Sequence, residues 1–402
     1  MHREPDDQLA PQRPADGDAI GEEARVLELV ARGLDDRAEQ VEGGVAFGHP
    51  CMVAHVPPRR ADAPCYGSQS ERPVRLAREV WILLVAFIFP GQGSQSVGMG
   101  RDLAAFSPAA AAVFAEVDAA LGEPISRLAF DGPAEDLDLT INAQPALLAT
   151  SIAYLRALAE QSAAVGIDLP TPAFYAGHSM GQYSAMVAAG VLGLADGIRA
   201  VRERGRQMQA SAPDGAMAAI IGLDDARLPE LIAAGERAGI FTVANRNSPG
   251  QVVVSGERAA VEAAAEAAKT LGAKRALLLP VSVAAHSPLM ARAADGMRAV
   301  LAGLTFNDPS APLLANADAH PLTTGEQCRA ELIEHLTRGV DWVRIVETMA
   351  AAGVTRAVEV GPGKVLTGLV KRIAPDVDIS PLDEAGAPGR LAMPSFESAV
   401  PA

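Results

Sequence analysis

The sequence predicts an α/β protein in which a mostly parallel sheet carries a smaller inserted subdomain. From residue 85 onward, apolar runs alternate with glycine-containing loops and helical patterns, an order typical of a parallel sheet. Residues 215–280 instead follow the order strand, helix, strand, strand, helix, strand, which is the ferredoxin-like pattern. We therefore expect a larger domain made of residues 85–214 and 281–382, with the small subdomain at 215–280 between its two parts.

The predicted strands of the larger domain are short and buried. The first belongs to the apolar run at 80–89, which ends at Pro90-Gly91 and is too short for a membrane span of about 20 residues. Strands are expected at 85–89, 173–176, 312–315 and 357–360. Helices are expected at 101–121, 143–164, 181–189, 194–210, 286–301, 325–336 and 341–352.

The small subdomain has its own set of predicted elements. The turn Asn247-Ser248-Pro249-Gly250 separates its two middle strands. Strands are expected at 216–221, 240–245, 251–255 and 273–279, and helices at 225–238 and 257–271.

Both ends of the chain differ from the middle. Residues 1–84 are expected to form a disordered N-terminal extension, because most of them are rich in Arg, Asp, Glu, Pro and Gly and lack apolar periodicity. Residues 383–402 also lack periodicity and are expected to form a mobile tail. The extension carries histidines and cysteines whose spacing matches no standard zinc site, so no metal site is expected there. These residues are His49, Cys51, His55 and Cys65.

Composition excludes several classes of function. The net charge of -15 argues against a protein that binds nucleic acid, which would need a basic surface. Three cysteines are too few for a disulfide framework, and residues 1–20 contain no apolar stretch suited to export. We therefore expect a cytoplasmic protein that associates with neither nucleic acid nor a membrane.

A serine motif lies where chemistry is expected in an α/β fold. Gly177-x-Ser179-x-Gly181 falls between a predicted strand and a predicted helix, the context that a nucleophile elbow requires. Such a turn would expose the Ser179 hydroxyl and point the Met180 N–H at a developing oxyanion. The alternative is an ordinary strand-to-helix turn in a chain with 37 glycines, but the context favours the catalytic interpretation.

A serine nucleophile needs a general base, and histidine is the usual one. His178 adjoins the serine, but neighbouring side chains on an elbow point in different directions. His286 lies where a predicted strand ends and a helix begins, a position at which α/β folds place their chemistry. The pattern favours His286 modestly over His320 and His335, and it also fits a histidine that only packs or caps.

Taken together, these segments resemble the malonyl-CoA:acyl carrier protein transacylases of type II fatty-acid synthesis. The resemblance spans about residues 86–373 and rests on separated segments in the family's order, which makes it specific. The segments are Phe89-Pro90-Gly91-Gln92-Gly93-Ser94-Gln95, Gly177-His178-Ser179-Met180-Gly181, Arg204-Gly205-Arg206-Gln207-Met208-Gln209, Asn247-Ser248-Pro249-Gly250-Gln251, residues 281–286, and Glu359-Val360-Gly361-Pro362-Gly363-Lys364-Val365-Leu366.

The resemblance implies a catalytic role for each matching position. Ser179 would be the acylated nucleophile and His286 its base. Arg204 would bind the free carboxylate of the malonyl group, as the planar guanidinium suits a carboxylate. The backbone N–H groups of Gln92 and Met180 would form the oxyanion hole.

The resemblance also implies the surroundings of the site. Asn245 and Asn247 would shape the wall beside the inserted subdomain. The core would be α/β-hydrolase-like, the substrates would be malonyl-CoA and acyl carrier protein, and no cofactor or metal would be needed. A monomer is expected. Local positive charge at Lys364, Lys371 and Arg372 is a candidate docking surface for the acidic carrier.

The sequence departs from the family's pattern at three places. Gln182 follows the elbow where the family usually has Glu, and Ala284-Ala285 precede His286 where Pro with Ser or Phe is frequent. Asp341 precedes Trp342 where Gln is common. The resemblance implies that a backbone carbonyl near this point orients the base, so the change need not be damaging. We hypothesise in addition that Asp341 lies close enough to His286 to act as a third member of a triad.

Other functions fit some of these motifs. An acyltransferase that serves a polyketide synthase in trans would share every motif. A serine esterase or thioesterase shares the elbow, but not the inserted subdomain or the loop after the first strand. A non-catalytic relative would not need Ser179, His286 and Arg204 together. A dinucleotide site is disfavoured, because Ser96 stands where the third glycine belongs.

Overall fold

The computed structural model describes residues 84–211, 214–279, 281 and 283–382. The expected extension, apart from Leu84, and the expected tail lie outside these residues, as do the four histidines and cysteines considered for zinc. The expected domain boundaries stay a prediction. None of the helices in the described ranges is long and apolar enough to span a bilayer.

The strands are numbered in chain order. They are β1 (Val85–Phe89), β2 (Phe174–Gly177), β3 (Gly215–Ile221), β4 (Phe241–Ser248), β5 (Gln251–Glu257), β6 (Arg275–Leu278), β7 (Leu313–Leu314), β8 (Pro321–Leu322), β9 (Val340–Asp341), β10 (Arg356–Glu359) and β11 (Asp378–Pro381).

The helices are numbered in the same way. They are α1 (Arg101–Phe106), α2 (Pro108–Leu121), α3 (Ile125–Asp131), α4 (Ala134–Leu137), α5 (Thr140–Ala164), α6 (Gly181–Ala188), α7 (Leu194–Ser211), α8 (Leu228–Glu236), α9 (Arg258–Thr270), α10 (Ala291–Ala302), α11 (Gly325–Glu334), α12 (Trp342–Ala351) and α13 (Val365–Ile373).

The larger sheet has the strand order β11-β10-β1-β2-β7-β8. All its neighbouring strands run parallel except the edge strand β8, which is antiparallel to β7. Every residue of β1 is buried, which is why this strand appears as an uninterrupted apolar run in the sequence. The core of this domain also contains the buried faces of α2, α5, α6 and α7.

The smaller sheet has the order β6-β3-β5-β4-β9. Strands β3 to β6 pair antiparallel in the ferredoxin-like arrangement and pack on α8 and α9 around a separate apolar cluster. The predicted fold class, an α/β-hydrolase-like core with a mostly parallel sheet and a ferredoxin-like subdomain, is confirmed. The fifth strand was not predicted: β9, which precedes α12, joins β4 in parallel.

Two predicted helices differ from the structure for local reasons. The helix expected at 101–121 is divided into α1 and α2, because Ser107 is extended and caps α2 while Pro108 occupies its first position. The helix expected at 286–301 begins later, with a 3₁₀ turn at Pro288–Met290 before α10. His286 itself has a φ of 58°, which is outside the helical region.

Candidate active site

The nucleophile elbow is formed by the tight turn from β2 into α6. Ser179 has a φ of 53°, which is the left-handed backbone conformation that residues other than Gly, Asn and Asp rarely adopt. A Cβ on Gly181 would overlap the Phe89 carbonyl oxygen, and one on Gly177 would overlap the backbone of Gly181. Both flanking positions therefore need glycine, and the turn places the half-buried Ser179 side chain at the carboxyl end of the sheet.

Ser179 and His286 lie in hydrogen-bond contact. The Ser179 Oγ and His286 Nε2 atoms are 2.8 Å apart. On the other side of the ring, Nδ1 is 2.6 Å from the His335 carbonyl oxygen and 3.0 Å from that of Arg338. Because carbonyls only accept, Nδ1 carries the ring proton and Nε2 is the acceptor for the serine hydroxyl.

The surroundings of His286 keep its imidazole neutral. Burial lowers its pKa to about 4, and the positive charge of Arg204 lowers the pKa in the same direction. An imidazole that is neutral at pH 7 can accept a proton from the serine, as a general base must.

Arg204 extends from α7 into the same site and is 1% exposed. Its Nη2 donates to Ser179 Oγ at 3.2 Å, and its guanidinium carbon is 5.9 Å from the centre of the Tyr183 ring. Burial lowers the pKa of Arg204 to about 10, so the guanidinium is still charged at pH 7. Within the described ranges no carboxylate forms an ion pair with it, and its Nε has no hydrogen-bond partner.

The two backbone donors expected for the oxyanion hole lie on adjoining segments. The loop after β1 packs on the elbow, since a Cβ on Gly91 would lie 2.5 Å from the His178 carbonyl oxygen. Gln92 is exposed at the rim and its side chain donates to Thr140 Oγ1 at 3.2 Å, while Met180 is buried. Among the described residues, neither Gln92 N nor Met180 N donates a backbone hydrogen bond.

The two asparagines of β4 do not contact the Ser179 side chain in the described hydrogen-bond network. Asn247 accepts at its Oδ1 from His178 Nε2 at 2.9 Å and so supports the histidine beside the nucleophile. The Oδ1 atom of Asn245 is buried without a partner among the described residues. Both asparagines lie on the strand of the small sheet that faces the site.

Asp341 has other partners than the base. Its carboxylate caps α12 by accepting from Arg344 N at 3.1 Å, and it pairs with Arg246 Nη1 at 3.1 Å. In the described part of the chain the acceptors for His286 Nδ1 are the His335 and Arg338 carbonyls. The structure therefore does not bring Asp341 to the base, and the triad hypothesis is corrected in favour of backbone acceptors.

His320 and His335, the other two candidate bases, have different contacts. His320 pairs with Asp318 through its Nδ1 at 2.6 Å, and its pKa is raised by that hydrogen bond. His335 is buried, with its ring centre 6.1 Å from that of His286, and it contributes its carbonyl oxygen rather than its side chain to the base. Neither side chain reaches Ser179 in the described hydrogen-bond network.

Two buried amides support the elbow. Gln182 accepts from Gly177 N at 3.0 Å and donates to Leu314 O at 3.0 Å, so it connects β2 to β7. A glutamine amide can both accept from the Gly177 N–H and donate to the Leu314 carbonyl, whereas an ionised glutamate at this position could only accept. Asn316 follows β7 and was missed by sequence analysis. Its Oδ1 accepts from Ser179 N, and its Nδ2 donates to Gly177 O, both at 2.9 Å.

Comparison with known proteins identifies a family and relatives that span the residues of this site. The family model described as acyl transferase domain matches residues 86–381. The malonyl CoA-acyl carrier protein transacylase of Escherichia coli (strain K12) is 48% identical over 304 residues, which are 75% of this chain and 96% of that protein.

Two solved structures are also similar to this chain. The acyl-carrier-protein-S-malonyltransferase from Bartonella henselae has a TM-score of 0.72 and 44% identity, covering 75% of this chain and 96% of that one. A malonyl-transacylase in complex with its type II PKS acyl-carrier protein has a TM-score of 0.69 and 42% identity, covering 74% and 95% respectively.

Proposed function

The chain belongs to the acyl transferase domain family and, within it, to the malonyl CoA-acyl carrier protein transacylases, and on that premise we propose that it transfers malonyl from malonyl-CoA to the phosphopantetheine thiol of acyl carrier protein for fatty-acid synthesis. The reaction is ping-pong, with a malonyl-serine intermediate on Ser179.

The observation that carries this proposal is the uncompensated charge of Arg204. A buried guanidinium without a carboxylate partner is unfavourable until an anion reaches it. A malonyl thioester brings one carboxylate to a position beside its reacting carbonyl, and a bidentate pair with Arg204 would satisfy both charges. Acetyl would leave the cation unpaired, so the same group selects the acyl chain.

In the first half-reaction His286 Nε2 takes the proton of Ser179 Oγ, which attacks the thioester carbonyl carbon. The oxyanion is stabilised by the N–H groups of Gln92 and Met180. When the tetrahedral intermediate collapses, the C–S bond breaks and the CoA sulfur takes the proton from His286. The ester on Ser179 keeps the malonyl group.

The second half-reaction reverses these steps with a different thiol. His286 removes the proton of the phosphopantetheine thiol, and the sulfur attacks the ester carbonyl of malonyl-Ser179. The C–O bond then breaks, and Ser179 Oγ recovers its proton from His286. The neutral imidazole is regenerated without any net gain or loss of protons.

Intact-protein mass spectrometry after incubation with malonyl-CoA tests the proposal. A malonyl adduct is expected on the wild type, and it should disappear when acyl carrier protein is added. Ser179→Ala should carry no adduct. Release of free malonate without transfer to the carrier would instead indicate an esterase.

A second candidate differs only in the carrier. The likeness to a malonyl-transacylase complexed with a type II PKS acyl-carrier protein favours an acyltransferase acting in trans on a polyketide synthase. Transfer rates to a fatty-acid carrier and to a polyketide carrier separate the two. Fatty-acid synthesis predicts the larger kcat/KM with the fatty-acid carrier.

The carrier-docking part of the proposal concerns α13. Lys371 and Arg372 are exposed in its last turn. The loop before this helix packs on the loop that contains Gln92, since a Cβ on Gly363 would lie 3.5 Å from the Ser94 carbonyl oxygen. Charge reversal of both residues should raise the KM for the acidic carrier and leave acylation by malonyl-CoA unchanged. An unaltered KM would place the docking surface elsewhere.

The proposal also includes a monomer in the cytoplasm. Every residue assigned to the mechanism comes from one chain, so no partner copy is needed to complete the site. Cys328 is a free, buried thiol, in keeping with a reducing compartment. Light scattering on the purified protein should give the mass of one chain, and a larger mass would contradict the monomer.

A further inference from the structure

We propose that Asn316 is a positioning residue for the acyl transfer, one that connects the nucleophile elbow to the segment that orients the base. Its side-chain amide holds both sides of the Ser179 turn, and its backbone holds the chain near the two carbonyls that contact His286. The inference rests on the proposed function, and its test contains a measurement that does not depend on malonyl-CoA.

The side chain of Asn316 fits the elbow with both of its polar atoms. It is fully buried, and its Oδ1 accepts from Ser179 N while its Nδ2 donates to Gly177 O, each at 2.9 Å. The two partners are an N–H and a carbonyl, so the orientation of the amide is fixed. An aspartate would match only the first partner, and an apolar residue would match neither.

This contact determines which backbone donors remain for the substrate. The Ser179 N–H donates to the Asn316 side chain, so it is not available as a donor to an oxyanion. The next N–H, that of Met180, has no partner in the described backbone hydrogen bonds. Asn316 also holds the left-handed conformation of Ser179, with its φ of 53°, against relaxation of the turn.

The backbone of Asn316 extends the connection to the base. Its N–H donates to Glu331 Oε1 at 2.7 Å, and its carbonyl accepts from Asp341 N at 2.7 Å. Residues 335 and 338, whose carbonyls contact His286 Nδ1, lie between these two anchor points in the sequence. All four polar groups of Asn316 therefore form hydrogen bonds. The two side-chain groups bind the nucleophile elbow, and the two backbone groups bind the residues that flank the segment orienting the base.

The test compares Asn316→Ala and Asn316→Asp with Asn307→Ala, an exposed asparagine that serves as the matched control. The first measurement is the rate at which a fluorophosphonate probe labels Ser179. The second is the steady-state transfer of malonyl. We expect Asn316→Ala to lower the labelling rate and kcat by about 100-fold, the size of effect that a displacement of about 1 Å can cause. The KM for malonyl-CoA should change little, and Asn307→Ala should match the wild type.

The pH dependence of Asn316→Asp separates positioning from simple packing. When protonated, the new carboxyl can replace the Nδ2 donor, so the ratio of variant to wild-type labelling should rise as the pH is lowered from about 8 to about 5.5. A ratio that is the same at every pH would overturn the proposal. So would an Asn316→Ala variant, folded by circular dichroism, that labels as fast as Asn307→Ala.

The two proposals fail in different ways. If wild type is labelled by the fluorophosphonate but forms no malonyl adduct, the proposed function is wrong and the labelling comparison still decides the role of Asn316. If Asn316→Ala does not fold, the pH profile of Asn316→Asp supplies the decision.

Discussion

Arg204 Nη2 donates to Ser179 Oγ across 3.2 Å, so the cation and the nucleophile occupy one buried site. The close approach of two helices makes this possible. Gly205, the next residue on α7, faces the start of α5, where a Cβ would lie 2.8 Å from Ile141 Cα. The absence of a side chain at 205 lets α7 approach closely enough for Arg204 to reach the elbow.

Removing the Arg204 charge should abolish selection for the malonyl group. Arg204→Ala is expected to lower kcat/KM for malonyl-CoA by about 30- to 4000-fold, which corresponds to about 2–5 kcal/mol. The reason is that the malonyl carboxylate would be buried without a partner. The measurement is kcat/KM for malonyl-CoA and acetyl-CoA with each variant.

Arg206→Ala is the matched control for this change, because Arg206 lies on the same helix but is exposed and pairs with Glu203. It should leave both rates nearly unchanged. An Arg204→Ala enzyme that still prefers malonyl-CoA to acetyl-CoA would contradict the assignment.

The pH profile of Ser179 labelling should report the neutral form of His286. Its pKa is lowered to about 4 by burial and then by the charge of Arg204, so the base form dominates above that value. Labelling by a fluorophosphonate in the free enzyme is therefore expected to fall only as the pH drops through about 4. In Arg204→Ala the midpoint should move upward. A wild-type midpoint near 6.5 would show that the imidazole is not held as described.

Loss of the Asp341 carboxylate should affect stability more than catalysis. Its contacts are the N-terminus of α12 and Arg246, and the base is held by carbonyls. Asp341→Ala is expected to keep kcat within about threefold and to lower the free energy of unfolding by about 1 kcal/mol, the usual effect of losing an N-cap. Asp341→Asn, which retains the cap, should lose less stability. A loss of kcat by orders of magnitude with a normal fold would restore the triad hypothesis.

Glu331 should make the fold less stable as the pH rises. Burial raises its pKa to about 7, above the ordinary value of 4.5. Between these values the folded state binds more protons than the unfolded state, so the free energy of unfolding falls as the pH rises from about 4.5 to about 7. Glu331→Gln removes this dependence and should be more stable than wild type at pH 8 by up to about 3 kcal/mol.

Urea unfolding of Glu331→Gln and wild type at about pH 5 and pH 8 provides the measurement for this prediction. Glu347→Gln, an exposed substitution on α12, serves as the control and should leave the pH dependence unchanged. Equal stability of Glu331→Gln and wild type at both pH values would contradict the prediction.

The parts of the fold and site that the residues alone predicted are local in the sequence, whereas the role of Arg204 came from the resemblance to the family. The elbow could be recognised because its glycines and serine are neighbours, and β1 because it is a buried apolar run. Asn316 could not, since the contacts it makes with Ser179 join residues 137 positions apart. The only available indication was its place after a predicted strand, where α/β folds locate functional side chains.

The groups that orient His286 could not be identified from the residues alone, for a different reason, although the resemblance to the family implied a backbone carbonyl near Asp341. The orienting groups are backbone carbonyls, and every residue has one, so no residue type marks the position. Asp341 was a candidate because a carboxylate is the familiar partner of a catalytic histidine. Strand β9 was missed because two residues are too few to show a periodic pattern.

The pairing of β9 with β4 has a mechanical consequence. Asn245 and Arg246 of the small sheet are in register with Val340 and Asp341. The Asp341 N–H in turn donates a hydrogen bond to the Asn316 carbonyl oxygen in the core. A rotation of the small sheet away from the core would therefore pull on the chain that carries the two carbonyls and tilt the imidazole. Catalytic alignment therefore depends on how the small sheet packs against the core, and heating that loosens the small sheet should reduce turnover before it unfolds the protein.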